Sequence, residues 1–592
     1  MKKTLLIRSV KASSVRKRCG GPASRTTSPD SPSREVSCLF ATRRVGRLLG
    51  CLVGLCLIAA TNTIVAQNHR TVALSGDAAV GTESGVLFSA FGSGGFRAGA
   101  PPVLNNSGDV AFVAELEGSS LVGEDGTGIW YSKTNGEQRL VARENSNGAN
   151  TDAPQFGSFS RGIQPVLNNA GQIGFEAGVN AAGNGFFRYT EATGVETIAG
   201  VGTVPGAPGS AFTASSPGAF NDNGEVAVAV GAGSFVSPST EIWSNGNGNA
   251  GLIGVSNPGV PRLNNAGDVA VFGTADSAGE SVTGFWKQSA GTLELVAGVG
   301  SSLPGISSDA QLANTSTLLA FNDAGQTAFS GFVSGTGITD ANDGGIWSEA
   351  GGNGLALVAR EGDPAPGTAG AVFGSLGEPL LNANNDIAFV AGALFGLDDL
   401  RSGIWRGESG GGLTQVVVDG DMAPGVEADE DNFVRDVFVG VGGGNGSVFG
   451  PGFAFNAAGQ VAFSASLGVA ANDPSFNLPQ GIWAEDRSGA LQLIALEGQM
   501  FDVNDDPLIE DLRVIGNLAF TGGSGNEDGL PSGFNDLGQL AFFAEFTDGS
   551  SGVFVSNAAV AIPEPGLASL LMLVATVAGL RRRLARPPVL DK

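Results

Sequence analysis

Two stretches of this 592-residue chain place oxygen-bearing side chains at alternate positions. Asp502, Asn504 and Asp506 do so in "DVNDD", and Glu427, Asp429 and Asp431 in "EADEDN". Alternating carboxylate and amide oxygens begin a calcium loop, because a hard cation gathers several such ligands. Neither stretch has the glycine or the distal glutamate of an EF-hand, and solvated acidic loops are the plainer explanation. Calcium is the one cofactor these spacings admit. Paired carboxylates for glycoside hydrolysis are a second chemistry open to so acidic a chain. No pair, however, stands in a unique, unrepeated setting.

Other chemistries lack their residues. The four cysteines, Cys19, Cys38, Cys51 and Cys56, all precede residue 67, so the rest of the chain has no disulfide, thiol nucleophile or thiolate site. The single histidine is His69. Any triad or zinc site would have to use it, and a flexible terminal residue is the expected role. "GEDGTG" and "GVGGGNG" are followed by no P-loop lysine and read as loops. Asp77, Asp363 and Asp421 recur in "GDAAVG", "GDPAPG" and "GDMAPG" and read as turn-formers.

Charge is distributed unevenly. The net charge is -25, yet 17 of the 32 Lys and Arg lie in residues 1–66 and 581–592, while 54 of the 57 acids lie between. An acidic middle excludes nucleic-acid binding. It keeps a protein soluble and can attract cations. With 94 glycines, 42% hydrophobic and 15% charged residues, the composition suits short strands joined by glycine-rich turns.

The elements that must position any site are written as a repeat. Asn-x-x-Gly before an apolar stretch occurs at Asn105–Gly108, Asn168–Gly171, Asn221–Gly224, Asn264–Gly267, Asn322–Gly325, Asn456–Gly459 and Asn535–Gly538. An eighth copy at Asn382 has Asn385 in the glycine position. Asparagine is the non-glycine residue that best tolerates positive φ. All six tryptophans, Trp130, Trp243, Trp286, Trp347, Trp405 and Trp483, fall at one later position of the unit, where copies two and eight carry Phe187 and Phe554. They read as core. A third motif, such as "LALVAREGDPAPG", follows.

Each unit predicts four short strands with a tight turn at Asn-x-x-Gly. Eight such units over residues 67–560 predict an all-β fold, a β-propeller of eight four-stranded blades. The mature N-terminus, "RTVALSGDAAVG", matches the fourth strand that the last unit lacks. It would complete the last blade and close the ring. Two smaller propellers or stacked sandwiches remain open. The longer inserts, including 427–450 and 502–530, are expected on one variable, acidic face, the place to look for a ligand.

Both ends read as addresses. Residues 1–66 are a basic leader and signal peptide, with "RRVGR" before the apolar run 48–60 and cleavage expected after Ala66. Residues 561–592 hold Pro563, Glu564 and Pro565, an apolar run and then Arg581, Arg582 and Arg583. This tail resembles the PEP-CTERM sorting signal of Gram-negative bacteria. The resemblance implies Sec export, a transient C-terminal transmembrane helix, processing by an exosortase, and delivery to the outer surface or extracellular matrix. The Asn-x-x-Gly-x-x-Ala-Phe repeat resembles the choice-of-anchor tandem repeat NxxGxxAF-containing proteins, which implies an extracellular repeat protein and carries no catalytic residues. The expected function is a non-catalytic binding or scaffolding module, with exopolysaccharide or envelope proteins as partners. The alternatives are an extracellular carbohydrate-active enzyme using acidic-face carboxylates and a calcium-dependent adhesion module.

Overall fold

Every Asn-x-x-Gly segment turns around its asparagine side chain. Asn105 Oδ1 accepts the N–H groups of Ser107 and Asp109 at 3.0 and 2.9 Å, and Gly108 N–H donates to the Asn105 carbonyl at 3.0 Å. The seven glycines at the fourth position have φ between 71° and 82°, and Asn385 stands at 68°, a region that costs most side chains but not glycine or asparagine. Because the side chain replaces backbone partners locally, the turn can be short and buried: all eight asparagines are 0 or 1% exposed.

The computed structural model describes residues 69–560 apart from 92–99, 119–125, 145–155, 158–163, 180–182, 201–203, 208–209, 213–217, 233–238, 397–398, 409–410, 427–432, 439–451, 469–477 and 507. The expected leader, the expected sorting signal with Pro563, Glu564, Pro565, Arg581, Arg582 and Arg583, and the acidic triplet Glu427, Asp429 and Asp431 lie outside the described residues. Among the described residues the fold is all-β, with one 3-10 turn at Gly246–Gly248, and no helix is long and apolar enough to cross a membrane.

Each repeat forms an antiparallel sheet in chain order. In the first, Leu87–Phe91 and Val103–Leu104 both pair with Val110–Glu117, which pairs with Thr127–Ser132, which pairs with Gln138–Arg143. Repeats three and four join into one nine-stranded sheet through the single bridge Ser256↔Thr274. The second strand is buried on both faces. Val110, Phe112 and Ala114 pack toward repeat eight, and Ala111 and Val113 pack toward repeat two, as the strand's period of two requires.

The third strand explains the recurring Gly-x-Trp. The indole folds back over the glycine two residues earlier: a Cβ at Gly128, Gly345, Gly403 or Gly481 would lie 2.5–2.8 Å from the Trp ring. A β-bulge at the tryptophan accompanies this in all four sheets. Gly185 and Gly552 serve Phe187 and Phe554 in the same way. Trp130, Trp347, Trp405 and Trp483 are 0% exposed, and Trp243 and Trp286 are 1 and 2% exposed.

Burial links neighbours into a cycle. Eight apolar clusters each take side chains from two consecutive repeats, and one of them joins repeat eight to repeat one through Phe543, Val553 and Val555 against Phe88, Phe112 and Trp130. The N-terminal strand His69–Leu74 pairs antiparallel with Ser551–Ser556 of the last repeat. Trp130 Nε1 then donates to Val80 O at 2.9 Å, as Trp347, Trp405 and Trp483 donate to Pro304, Pro366 and Pro424 of the preceding loop at 2.9–3.0 Å. His69, expected as a flexible terminus, instead stacks on Phe501 with ring centroids 4.2 Å apart, and its Nε2 lies 2.6 Å from Asp502 O. These sheets, packed face to face around a closed cycle, form a β-propeller.

Candidate functional site

The turns meet at the centre of the cycle. Asn105 Nδ2 donates to Asn168 O, and the same bond runs on through Asn221, Asn264, Asn322, Asn382, Asn456 and Asn535, whose Nδ2 returns to Asn105 O; the eight distances are 2.8–3.2 Å. Each asparagine thus uses its oxygen for its own turn and its amide for the next repeat. An apolar residue would strand a buried carbonyl on the neighbour.

The following residue makes a second, incomplete ring. Asn106, Asn169, Asp222 and Asn265 each donate a backbone N–H to the side-chain oxygen of the next copy at 2.7–2.9 Å, ending on Asp323. Ala457 donates to Asp536 and Asp536 to Asn106 at 2.8 and 2.9 Å. Ala383 and Ala457 have no side-chain oxygen to offer, and there the ring is interrupted.

A loop from the last repeat fills this region. Leu512–Phe520 runs as the first strand, and residues 521–533 then leave it; Gly522 and Gly523 are half-buried, and the loop is buried from Ser524 onward. Their backbone bonds the innermost strands of four repeats: Leu104 N–H to Ser532 O, Phe220 N–H to Gly529 O, Leu263 N–H to Asp528 O, and Phe455 N–H to Gly523 O, at 2.7–2.9 Å. A Cβ at Gly529 would lie 2.8 Å from Leu263 O and 3.0 Å from Phe220 N, so only glycine lets the loop come this close. The 502–530 insert, expected on one variable, acidic face, is therefore split between a surface hairpin and an axial plug.

The plug brings charge to the centre. Arg262 Nε stands 3.1 Å from Asp528 Oδ2, with side chains only 8 and 6% exposed, though without hydrogen-bond alignment. Burial lowers the Arg262 pKa despite the attraction of Asp528 and Glu378. Burial raises the Glu527 carboxyl to about 9, helped by Asp536, Asp323 and Asp528, with the Ala383 N–H opposing. Neither Glu527 oxygen has a partner in full hydrogen-bond geometry, although the Ala383 N–H lies near enough to oppose the shift. Glu378 rises to about 7 for the same reason, burial, against a Ser316 hydrogen bond and Arg262.

Beside the axis, a cavity of about 540 Å³ opens between repeats six and seven, lined among others by Asn384, Asp386, Arg406, Glu408, Asp486 and Arg487. Arg406 Nη1 donates to Gly459 O at 2.6 Å and to Glu485 Oε2 at 3.0 Å. Burial lifts Glu485 to about 7, opposed by Arg406 and the Val461 N–H. Asp486 moves the other way, held down chiefly by its Ser488 hydrogen bond. A raised and a lowered carboxyl adjacent in sequence are the raw material of acid–base chemistry, but Glu485 is 2% exposed and committed to Arg406 and Val461 N–H.

Asp502, Asn504 and Asp506 each spend a side-chain oxygen on the backbone. Asp502 Oδ1 accepts Asn504 and Asp511 N–H, Asn504 Oδ1 accepts Asp506 N–H, and Asp506 Oδ1 accepts Leu508 N–H, at 2.9–3.1 Å. These successive side-chain turns shape a hairpin that also binds the N-terminal strand, through Thr71 N–H to Asp505 at 2.7 Å. Among the described residues no group of three or more His, Cys, Asp or Glu is placed to hold a metal. Asp77 and Asp421 cap their own turns through Leu74 and Val418 N–H. Glu527, Asp528 and Arg262 attract no attention in the sequence; the "TGGSGNEDGLPSG" run that interrupts a strand pattern is their only signal.

No curated protein matches this chain. Solved structures resemble it remotely. The β-propeller domain of the trilobed protease from Pyrococcus furiosus is 10% identical, with a TM-score of 0.33 over 70% of this chain and 98% of that one. An ulvan lyase described as a new family of polysaccharide lyase is 10% identical, with a TM-score of 0.30 over 78 and 94%. The Pyrococcus horikoshii acylaminoacyl peptidase is 8% identical, with a TM-score of 0.34 over 75 and 57%. Likeness at this level says nothing of activity. One family model spans most of the chain, matching residues 60–399 and 392–569, and the protein belongs to that family of unknown function, DUF7453.

Proposed function

We propose that this protein is an eight-bladed propeller that works outside the cell as a non-catalytic binding or scaffolding module. The observation that carries the reading is the filled axis. A propeller enzyme needs reacting groups that a substrate can reach, and here residues 521–533 bond to four inner strands and bury Glu527 and Asp528 to 6 and 5% exposure. The closed ring of eight asparagine bonds supports the blade count. The polar cavity beside Arg406 and Asp486 is open enough for a hydrophilic ligand, and carbohydrate is the class its mixed donors and acceptors suit.

The address belongs to the same proposal. A signal peptide in residues 1–66 and a PEP-CTERM tail at 561–592 would engage the Sec machinery and an exosortase. They would deliver the propeller to the outer surface or matrix, beside exopolysaccharide and envelope proteins. Membership among the NxxGxxAF repeat proteins fits that destination.

Purified protein incubated with a panel of acidic and neutral exopolysaccharides tests the reading. Co-sedimentation without release of reducing or unsaturated ends is the expected result, weakened by Arg406→Ala. New chain ends that accumulate with time and enzyme concentration would establish a lyase or hydrolase instead.

A further inference from the structure

We propose that the axial loop 524–527 binds a hard divalent cation of the calcium class, with the Glu527 carboxylate, Asn526 Oδ1 and Ser524 Oγ as protein ligands. Ser524, Asn526 and Glu527 are 3, 3 and 6% exposed. Ser524 Oγ, Asn526 Oδ1 and both Glu527 oxygens are buried without a hydrogen-bond partner. Four such oxygens in four consecutive residues are far above the few isolated exceptions that a folded protein tolerates.

The surroundings orient these oxygens and supply the charge. Asn526 Nδ2 is spent on Leu104 O at 3.2 Å, which leaves Oδ1 to face elsewhere. Gly525 and Asn526 take left-handed φ of 84° and 75°, folding the loop tightly, and a Cβ on Gly525 would lie 3.4 Å from Asp536 Oδ1. Asp323, Asp528 and Asp536 all act on Glu527, and the one described cation paired here, Arg262, is committed to Asp528. A carboxylate at Glu527, buried and with no cation of its own, calls for a counter-ion. Every donor is an oxygen, which selects calcium over zinc or copper. The contrast with Asp502, Asn504 and Asp506 is direct, because there each Oδ1 is already taken by a backbone N–H.

The site is independent of the binding function proposed above. Its test uses the full chain, stripped with chelator, desalted, and dialysed against calcium or magnesium. Metal content by mass spectrometry and melting with and without calcium are read together. The expected result is roughly one calcium per chain with a raised Tm, and a loss of affinity of at least ~10-fold in Glu527→Gln, as removal of a charged ligand demands. Asp506→Asn should keep wild-type binding. If Glu527→Gln does not fold, Ser524→Ala, which deletes a single oxygen, provides the same reading. A stripped wild-type chain that takes up no calcium, or uptake abolished by Asp506→Asn and untouched by Glu527→Gln, overturns the proposal.

Discussion

Asn535 Nδ2 donates to the backbone oxygen of Asn105 at 2.9 Å across 430 residues of sequence, the longest-range link of the asparagine ring. The ring predicts a graded response to substitution. Asn264→Ala removes the bond to Asn322 O and the two turn bonds from Ala266 and Asp268 N–H. Urea midpoints should report a loss of about 2–4 kcal/mol, since buried partners are left unbonded. Asn385→Gly, by contrast, puts the usual residue at φ 68° and removes only the Asn385 Oδ1 that accepts Asn322 Nδ2 at 2.9 Å, leaving the ring bond to Asn382 O in place, so it should cost no more than about 1 kcal/mol. Equal effects at the two positions would refute the ring as a source of stability.

The glycine under each indole gives a second prediction. A methyl at Gly481 would meet the Trp483 ring at 2.5 Å, so Gly481→Ala should cost about 1–3 kcal/mol through overpacking. Phenylalanine does not reliably remove the contact, since a methyl would lie 3.1 Å from the Phe187 ring at Gly185 but 2.7 Å from the Phe554 ring at Gly552. The cost of Gly481→Ala should therefore shrink in a Trp483→Leu background, where the ring is absent. A double-mutant cycle with no coupling between the two positions would count against this geometry.

Closure by the N-terminal strand predicts a change of assembly state. Without residues 69–81, Ser551–Ser556 becomes an open edge and Trp130 Nε1 loses its Val80 acceptor. Exposed edges pair with other chains. Light scattering on the truncated protein should find oligomers or aggregates; a stable monomer would show that closure is dispensable.

Why these features differ in legibility is physical. The Asn-x-x-Gly turns, the Gly-x-Trp strands and the match of residues 70–81 to a fourth strand are local rules repeated many times, so spacing alone exposes them. Longer-range consequences are not written that way. Nothing in the spacing of Asn105 and Asn168 says that one amide reaches the other's carbonyl, because that depends on how sheets pack. The plug is harder still. Residues 521–533 occur once, and their glycines and acids look like any surface loop until Leu104, Phe220, Leu263 and Phe455 are seen to need their carbonyls. His69 misleads for the opposite reason: its place near a chain terminus suggests freedom, while Phe501 and Asp502 that hold it lie more than 400 residues away.

The Arg262–Asp528 pair predicts asymmetric costs. Asp528→Asn leaves a buried guanidinium without its counter-charge and should cost about 3–5 kcal/mol, whereas Arg262→Met with Asp528→Asn, which keeps the Oδ1 that accepts Leu530 N–H at 3.1 Å, should cost much less. If the double variant is as unstable as the single one, the pair anchors the plug through geometry rather than charge.

The buried carboxyls predict how stability runs with pH. Burial raises Glu176, Glu378 and Glu485 from 4.5 to about 7 and Glu527 to about 9 in the folded protein. The native state then binds more protons than the unfolded chain, so the contribution is complete below the unfolded value and is lost as pH rises through the folded values. His69 works the other way: burial lowers it from 6.5, and its contribution disappears as pH falls below that value. In chelator, which keeps a cation from holding Glu527 ionised, Tm should decline continuously from pH 6.5 to 9. Between pH 7 and 9 Glu527 is the member of this set still taking up its proton difference, so Glu527→Gln should flatten that limb and leave the decline between pH 5 and 7 in place. A wild-type profile already flat from pH 7 to 9 would mean that Glu527 is solvated or charge-compensated in the native protein.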